Sequence, residues 1–221
     1  MYVIKASLVA EVYRYMGVHG NEHSRELEAL VSTAIERVSM AASPSACQKI
    51  MPVSVHDGRC VTVGERCLES ADLASHLEGC DQVILFAATL GCDVDRLIDR
   101  DSLLRPSLAV AEHAAATVLI EQFSDECCEQ TDRELGDDVS LTPRFSPGYG
   151  DCPLSCQTVL LHQLEAYKQI GLTLTDKYMM TPVKSISGWL GVTNEKRTCF
   201  SKGCAMCLQR HCAFRKEGDV D

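Results

Sequence analysis

Hydrophobic and polar residues recur along the chain with the two spacings that predict helices and strands. Residues 23–40 carry apolar side chains at helical spacing, and Ser24 precedes them as a candidate N-cap. The longest helical pattern runs from about residue 107 to residue 135; its first half is rich in alanine, and its second half is polar. We therefore predict a long helix that begins inside the core and leaves it toward its end.

Shorter apolar runs predict strands. Residues 42–63 are rich in β-branched side chains around an Asp57-Gly58 turn, which predicts a hairpin. The continuous apolar run 82–91 predicts a strand that is buried on both faces. Asp93 follows this run and is expected to cap a helix over residues 94–100.

The second half of the chain contains a long loop, a helix and strands. Residues 136–157 concentrate three of the seven prolines and three of the 14 glycines. A helix over 154–171 with Gly171 as its C-cap follows, and residues 172–192 have the composition of strands. Because helices and strands do not alternate regularly, the sequence predicts an α+β fold, with a twisted, mainly antiparallel sheet flanked by helices in one compact domain.

Charge and composition exclude some classes of function. The chain has 31 acidic and 21 basic residues, a formal net charge of −10, which argues against binding nucleic acid. No apolar run is long enough to span a membrane and no signal peptide is recognisable, so we expect a cytoplasmic protein. The 13 cysteines are therefore expected to be reduced, and most of them to be small buried apolar residues. This expectation covers Cys47, Cys60, Cys67, Cys80 and Cys92.

The loop combines groups that suit a small zwitterionic ligand. Arg144 offers a planar fork of donors that matches a carboxylate. Gly148 allows a ligand to approach the backbone, and Tyr149 offers a flat aromatic face. Pro147 and Pro153 stiffen the segment, so that little entropy is lost on binding. An amino acid attached to a nucleoside would satisfy this set of groups.

Four ordered motifs carry a resemblance to a known family. They are the Arg144–Tyr149 loop, the Cys-Pro pair at Cys152, a Gly-Leu-Thr turn at Gly171, and the Pro-x-x-Ser-x-Ser-Gly-Trp segment that ends at Trp189. In order and spacing they resemble the activation domain of cobalamin-dependent methionine synthase. The resemblance covers roughly residues 107–192 and is strongest over 144–189.

The resemblance implies a role for each loop residue. Such domains bind S-adenosylmethionine and present its methyl group to cob(II)alamin once an electron arrives. Arg144 would hold the methionine carboxylate, Ser146 and Gly148 would contribute backbone contacts, and Tyr149 would line the pocket. By spacing, the acidic residues near the ligand correspond to Glu121 and Asp138, which suits a ligand with two positive centres.

The resemblance also implies partners. The chain contains no cobalamin, folate or homocysteine domain, so it is expected to act as a free-standing reactivation subunit. It would serve a cobalamin-binding methionine synthase or another corrinoid methyltransferase, with a flavodoxin-like or ferredoxin-like electron donor. No nucleic acid or membrane is expected as a partner. This role assigns residues 1–195 to the activation-like domain.

The remaining residues, 196–221, form a cysteine-rich basic tail. Cys199, Cys204, Cys207 and Cys212 lie close together, a spacing that suits an iron–sulfur cluster better than zinc, with a metal-free tail as the alternative. Six lysines and arginines and no acid occupy positions 196–216. This charge could steer an acidic partner onto the protein, or it could compensate the acidic body.

Two other functions remain compatible with the sequence. A small-molecule S-adenosylmethionine methyltransferase would show a glycine-rich turn after its first strand, and the nearest candidate, residues 89–95, lacks that pattern. A metal-binding electron-transfer module would place the activity in the cysteine tail and make the arginine loop a scaffold.

Overall fold

An antiparallel sheet with helices on both faces forms the centre of the molecule. The computed structural model describes residues 2–18, 20, 23–136 and 138–194. Its strands are β1 (Ser45–His56), β2 (Cys60–Val63), β3 (Arg66–Glu69), β4 (Gln82–Thr89), β5 (Ser140–Leu141), β6 (Thr173–Leu174), β7 (Met180–Thr181) and β8 (Ser185–Thr193). Six of them form one sheet in the order β3-β2-β1-β4-β8-β5, and β6 pairs with β7 separately. Each of these pairings is antiparallel, which confirms the predicted α+β class.

Helices cover the two faces of this sheet. They are α1 (Val9–Tyr15), α2 (Arg25–Ala41), α3 (Ala71–His76), α4 (Cys92–Leu104), α5 (Pro106–Leu135), α6 (Cys156–Gln163) and α7 (Ala166–Ile170). A short 3-10 turn, Ala6–Leu8, precedes α1. Within the described ranges, no helix is both long and apolar enough to cross a membrane.

The central strand β4 separates two hydrophobic cores. Leu85 and the buried Trp189 of β8 belong to the core that α3, α6 and α7 cover. Phe86 points to the other face and belongs to the core formed with α1, α2 and α5. Every residue of β4 after Gln82 is buried, which confirms the strand predicted from the continuous apolar run.

Buried charges join the helices on the α5 face. Arg37 of α2 binds Asp101 of α4 and Glu112 of α5, and both carboxylates are fully buried. Arg105 also binds Asp101. Because an unpaired buried carboxylate would be very unfavourable, these contacts fix how the three helices pack against one another.

Several predicted elements are confirmed. α2 begins after Ser24, whose Oγ accepts a hydrogen bond from the Leu27 amide at 3.3 Å. β1 and β2 form the hairpin, with Asp57 and Gly58 in the left-handed conformation at its turn. α5 covers the predicted long helix, and its residues become more exposed after Cys128.

Two predicted helices differ from the structure. The helix predicted over 154–171 is two helices, because Glu165 between them has a left-handed backbone with φ of 52°. Gly171 ends the second one, as predicted. Asp93 does not cap α4: Gly91 is its N-cap residue, and Asp93 lies inside the first turn, where a carboxylate still stabilises the helix dipole.

The expectation of scattered buried thiols is only partly right. Cys47 and Cys80 are free and buried, but Cys92 is exposed. Cys60 and Cys67 form a disulfide across the β2–β3 hairpin, so the prediction that they are free thiols is wrong. The hairpin brings their Cα atoms to 6.4 Å, a separation that sequence spacing alone does not show.

Candidate functional site

The arginine loop, residues 142–155, is attached to the open edge of the sheet. Phe145 and Trp189 exchange both backbone hydrogen bonds, at 2.9 and 2.8 Å. Thr142 binds Gly191 in two ways: its amide donates to the Gly191 carbonyl at 2.9 Å, and its Oγ1 accepts from the Gly191 amide at 2.8 Å. The loop thus continues the sheet past β5, which explains why a proline-rich segment is ordered there.

The far end of the loop is attached to the start of α3. The Asp151 carboxylate accepts hydrogen bonds from the Ser70 hydroxyl and from the amides of Ala71 and Asp72, the latter two at 2.8 and 3.1 Å. These contacts lower the pKa of Asp151, the Ser70 hydrogen bond first and then the two amides. Gly150 precedes it with φ of 53°. The arginine loop therefore adds a second capping side chain to α3, beside its N-cap residue Ser70, whose Oγ accepts from the Leu73 amide at 3.0 Å.

Arg144 extends from the loop onto α5. Its Nη2 lies 3.0 Å from Glu121, its Nη1 lies 2.9 Å from Asp125, and Nη1 also approaches the Cys128 sulfur at 3.6 Å. The guanidinium carbon is 6.0 Å from the centre of the Phe86 ring. Burial disfavours the charged form, but Cys128, Asp125 and Glu121 outweigh it and keep the pKa of Arg144 above its ordinary value. The arginine is therefore a fixed cation.

Two carboxylates, those of Glu121 and Asp125, contact the one guanidinium of Arg144. The Arg144 side chain is 17% exposed, whereas those of Glu121 and Asp125 are 46% and 55% exposed. Within the described residues, Arg144 makes its contacts through Nη1 and Nη2. The edge of the guanidinium that carries Nε therefore keeps N–H groups that can donate to a ligand carboxylate. The exposed carboxylate oxygens can accept from an ammonium group.

The glycine turn of the loop lies beside an exposed aromatic ring. Gly148 has φ of 91°, a conformation that favours glycine, and its amide donates to the Cys152 carbonyl at 3.0 Å. The Tyr149 ring is 57% exposed and lies edge-on to Phe145, with 5.9 Å between the ring centres. The Ser146 hydroxyl donates to the Ser187 carbonyl at 2.8 Å, so this side chain holds the loop on β8.

The structure brings together some of the residues predicted for the site. Arg144 and Glu121, both predicted to lie near a ligand, are in direct contact. The Tyr149 ring contacts Phe145, whereas the Arg144 side chain contacts α5. Asp138 is exposed, and the described ion pairs of Arg144 are made with other carboxylates.

Two neighbours of Arg144 were not predicted. Asp125 and Cys128 follow Glu121 by four and seven residues on α5, so the three share one face of the helix. That periodicity could have identified both residues once Glu121 was chosen. No sequence pattern identifies Asp151 as a residue that caps α3, because its hydrogen-bond partners lie about 80 positions earlier in the chain.

The predicted metal ligands Cys199, Cys204, Cys207 and Cys212 lie outside the described residues. Within residues that the structure does describe, no group of three or more metal-ligating side chains is found.

Comparisons with known proteins find a matching family model and a solved structure of similar fold. A family model described as vitamin B12 dependent methionine synthase, activation domain, matches residues 67–206, a range that contains the whole arginine loop. Among solved structures, a crystal structure of the MetH reactivation domain bound to AdoHcy is similar in fold, with a TM-score of 0.63 and 17% identity. The similarity covers 86% of this chain and 77% of that chain. The search of curated proteins finds no match.

Proposed function

Because this chain belongs to the vitamin B12 dependent methionine synthase activation domain family, we propose that it binds S-adenosylmethionine and presents the methyl group to a corrinoid carried by a partner domain or subunit. It acts as the reactivation component for reductive methylation of cob(II)alamin in a methionine synthase or another corrinoid methyltransferase. The reduced corrinoid supplies the nucleophile, and a flavodoxin-like or ferredoxin-like protein supplies the electron. This chain therefore has to position the methyl donor and needs no general base.

The observation that carries this proposal is the cluster of Arg144, Glu121 and Asp125 at the edge of the sheet. S-adenosylmethionine has a carboxylate, an ammonium and a sulfonium. In the proposed arrangement, the carboxylate binds the Nε edge of Arg144, and the ammonium lies against Glu121 and Asp125. Two carboxylates beside one guanidinium match a ligand that carries two positive centres and one carboxylate.

The glycine turn, which follows Arg144 in the same loop, supports the same proposal. A ligand that runs from Arg144 along the loop would bring its nucleoside to the exposed ring of Tyr149. Gly148 leaves the backbone accessible there, since a Cβ added at this glycine would meet only the Leu154 side chain, at 3.5 Å. Ser146 and Gly148 are accordingly proposed as backbone contacts.

The attachments at both ends of the loop supply the rigidity that the proposal requires. The loop is bonded to β8 through Thr142 and Phe145, and to α3 through Asp151. A loop that is ordered before binding loses little conformational entropy when the ligand arrives. It also holds the methyl donor in one orientation relative to the partner, which is the main contribution of this chain to the reaction.

The sheet argues against an ordinary small-molecule methyltransferase. The glycine-rich turn expected for that alternative belongs to a parallel βαβ unit. All described pairings of the six-stranded sheet are antiparallel, and the segment after β4 leads directly into α4 from Gly91. The cysteine-tail alternative rests on residues outside the described ranges and receives no support from the site geometry.

Isothermal titration of S-adenosylmethionine into the wild type and Arg144→Ala tests the proposal. Loss of a charge-assisted bidentate contact is expected to cost roughly 1.5–3 kcal/mol, or about 10- to 150-fold in affinity. Arg96→Ala is the matched control, because Arg96 is an exposed arginine whose ion pair within the described residues is with Asp93 in its own helix turn. Equal affinities for the wild type and Arg144→Ala would refute the proposed role, provided that both variants keep the thermal stability of the fold.

A further inference from the structure

A disulfide lies on the solvent side of the β2–β3 hairpin, and the proposed function does not use it. It joins Cys60 and Cys67. Successive side chains of a strand point to opposite faces, and Val61, Val63 and Leu68 fill the face that is buried in the core. Cys67 is exposed, whereas Cys60 is half-buried. A small reductant can therefore reach the Cys67 sulfur from solvent.

The outer strand of this hairpin has few other contacts that hold it in place. β3 lies at the edge of the six-stranded sheet, and its described backbone pairing is with β2, over four residues. Leu68 is its one buried residue. A pair of short strands is only marginally stable by itself. The disulfide is therefore a substantial part of what fixes β3.

The chain passes from β3 directly into the residues that hold the arginine loop. The Ser70 amide donates to the Arg59 carbonyl at 2.8 Å, at the base of the hairpin. The Ser70 hydroxyl and the amides of Ala71 and Asp72 donate to the Asp151 carboxylate. In return, the Asp72 carboxylate accepts from the Asp151 amide at 2.9 Å. A displacement of β3 therefore reaches the loop through three consecutive residues.

We propose that the Cys60–Cys67 disulfide is a redox switch, operated by a dithiol reductant, that controls how firmly the arginine loop is held. One thiolate of the reductant attacks the Cys67 sulfur, and Cys60 leaves as a thiolate. The second thiolate of the reductant then attacks the mixed disulfide and releases Cys67. The chain gains two electrons and two protons, and the dithiol becomes a disulfide. Reduction frees β3 and loosens the hold of the first residues of α3 on the loop.

The rest of α3 is expected to stay in place after reduction. Leu73, Ala74 and Leu77 are buried in the core on that face of the sheet, so the helix does not depend on the hairpin for its packing. The reduced chain therefore keeps its fold while the loop gains freedom. Because the proposed function requires an ordered loop, the oxidised chain would be the form that binds S-adenosylmethionine. That consequence rests on the proposed function, but the control of loop order does not.

Hydrogen exchange of the ligand-free full chain, before and after reduction with dithiothreitol, tests the switch. The amides of Gly148, Asp151 and Cys152 donate hydrogen bonds that keep the loop ordered. They should exchange roughly tenfold faster in the reduced chain, because the local opening of the loop becomes more favourable. The amides of the central strand β4 should exchange at the same rate in both forms.

Peptide mapping after alkylation of the free thiols reports the state of the bond. Trypsin cleavage after Arg59 and Arg66 places Cys60 on peptide 60–66 and Cys67 on peptide 67–96. The two peptides should be linked before reduction and separate after it. The double variant Cys60→Ser, Cys67→Ser should exchange like the reduced wild type with and without dithiothreitol, which separates this bond from the other cysteines. Cys92→Ser is the matched control, and its loop should respond to dithiothreitol as the wild type does.

Three results would overturn the proposal. The first is that peptide 60–66 is already separate before reduction, or stays linked in dithiothreitol that reduces glutathione disulfide. The second is that the loop amides exchange at equal rates in the oxidised and reduced chains. The third is that the amides of β4 accelerate as much as those of the loop, since reduction would then weaken the whole fold. S-adenosylmethionine is absent from each measurement, so failure here is distinguishable from failure of the proposed function.

Discussion

Asp151 and Asp72 each bind the backbone amide of the other. The Asp151 carboxylate accepts from the Asp72 amide at 3.1 Å, and the Asp72 carboxylate accepts from the Asp151 amide at 2.9 Å. This reciprocal pair joins the arginine loop to the start of α3, although 79 positions separate the two residues in sequence. Because the loop depends on this contact for its position, the contact is a direct means of testing the site.

Gly150→Ala is expected to disrupt the reciprocal pair. Gly150 has φ of 53°, and a Cβ at this position would lie 1.9 Å from the Asp72 carboxylate. Alanine therefore adds a left-handed backbone penalty of about 1–2 kcal/mol and displaces Asp72 from its hydrogen bond. Gly58→Ala is the control, because Gly58 has φ of 63° and nothing within 4 Å of its Cβ position. Chemical denaturation should show a free energy of unfolding about 1 kcal/mol lower for Gly150→Ala than for Gly58→Ala.

The stabilising effect of the Asp151 charge should depend on pH. Its pKa is lowered in the folded protein by the hydrogen bonds from Ser70 and from the amides of Ala71 and Asp72. A lowered carboxyl pKa stabilises the fold above the unfolded pKa of about 3.9, and the effect is lost as pH falls through the folded pKa. The melting temperature of the wild type should therefore exceed that of Asp151→Asn near neutral pH. The two melting temperatures should converge in acid. A constant difference across this range would show that the charge has no part in it.

Elements with local signals could be predicted from the sequence. Ser24 with the apolar spacing behind it predicted α2, and the Asp57-Gly58 turn predicted the first hairpin. The uninterrupted apolar run of β4 predicted a strand covered on both faces, and two cores do cover it. In each case, neighbouring residues carry the information.

Features that depend on distant contacts could not be predicted. Glu165 adopts a left-handed conformation that its residue type does not favour, so nothing local indicated the break between α6 and α7. The capping of α3 by Asp151 joins segments that have no pattern in common. In the site, Arg144 was recognised from its loop motif, whereas its contact with Asp125 joins the loop to α5 and was not predicted, although helical periodicity from Glu121 points to this residue.

Lys184 should give the stability a second dependence on pH. This residue is buried beside β8, where its Nζ donates to the His113 carbonyl at 3.1 Å and to Thr117 Oγ1 at 2.9 Å. Burial lowers the pKa of Lys184 to about 8, although Asp95 partly opposes the shift. Between this pKa and the unfolded value of about 10.4, the unfolded chain binds more protons than the folded protein. The free energy of unfolding should therefore rise with pH across this interval.

Comparison with Lys184→Met isolates that contribution. The other groups that titrate in alkali are common to both proteins, so their effects cancel in the difference. The wild type should gain roughly 2–4 kcal/mol relative to Lys184→Met as pH rises from about 7 to about 10.5. Urea denaturation at several pH values measures this difference. The difference in free energy of unfolding between the two proteins could instead not change with pH, or it could shift toward the variant at alkaline pH. Either result would contradict a lowered pKa of Lys184 in the folded protein.

Glu121 and Asp125 should discriminate between ligands by the charge on sulfur. S-adenosylmethionine carries a sulfonium, whereas S-adenosylhomocysteine has a neutral thioether and is otherwise the same apart from the methyl group. The two carboxylates are half exposed, so each is worth about 0.5–1 kcal/mol toward a nearby cation, or about two- to fivefold in affinity. Glu121→Gln combined with Asp125→Asn should weaken binding of S-adenosylmethionine more than binding of S-adenosylhomocysteine.

Calorimetry with both ligands at low salt measures this ratio. Glu134→Gln is the control, because this exposed residue lies on α5 about 20 Å beyond Glu121 and should leave both affinities unchanged. The difference between the ligands should shrink as salt is added, since exposed charges are screened. If the double variant weakens both ligands equally, the carboxylates contact only the ammonium that the ligands share, and the sulfonium lies elsewhere. If it strengthens both, the acids compete with the ligand carboxylate for Arg144, and the proposed arrangement of the site is wrong.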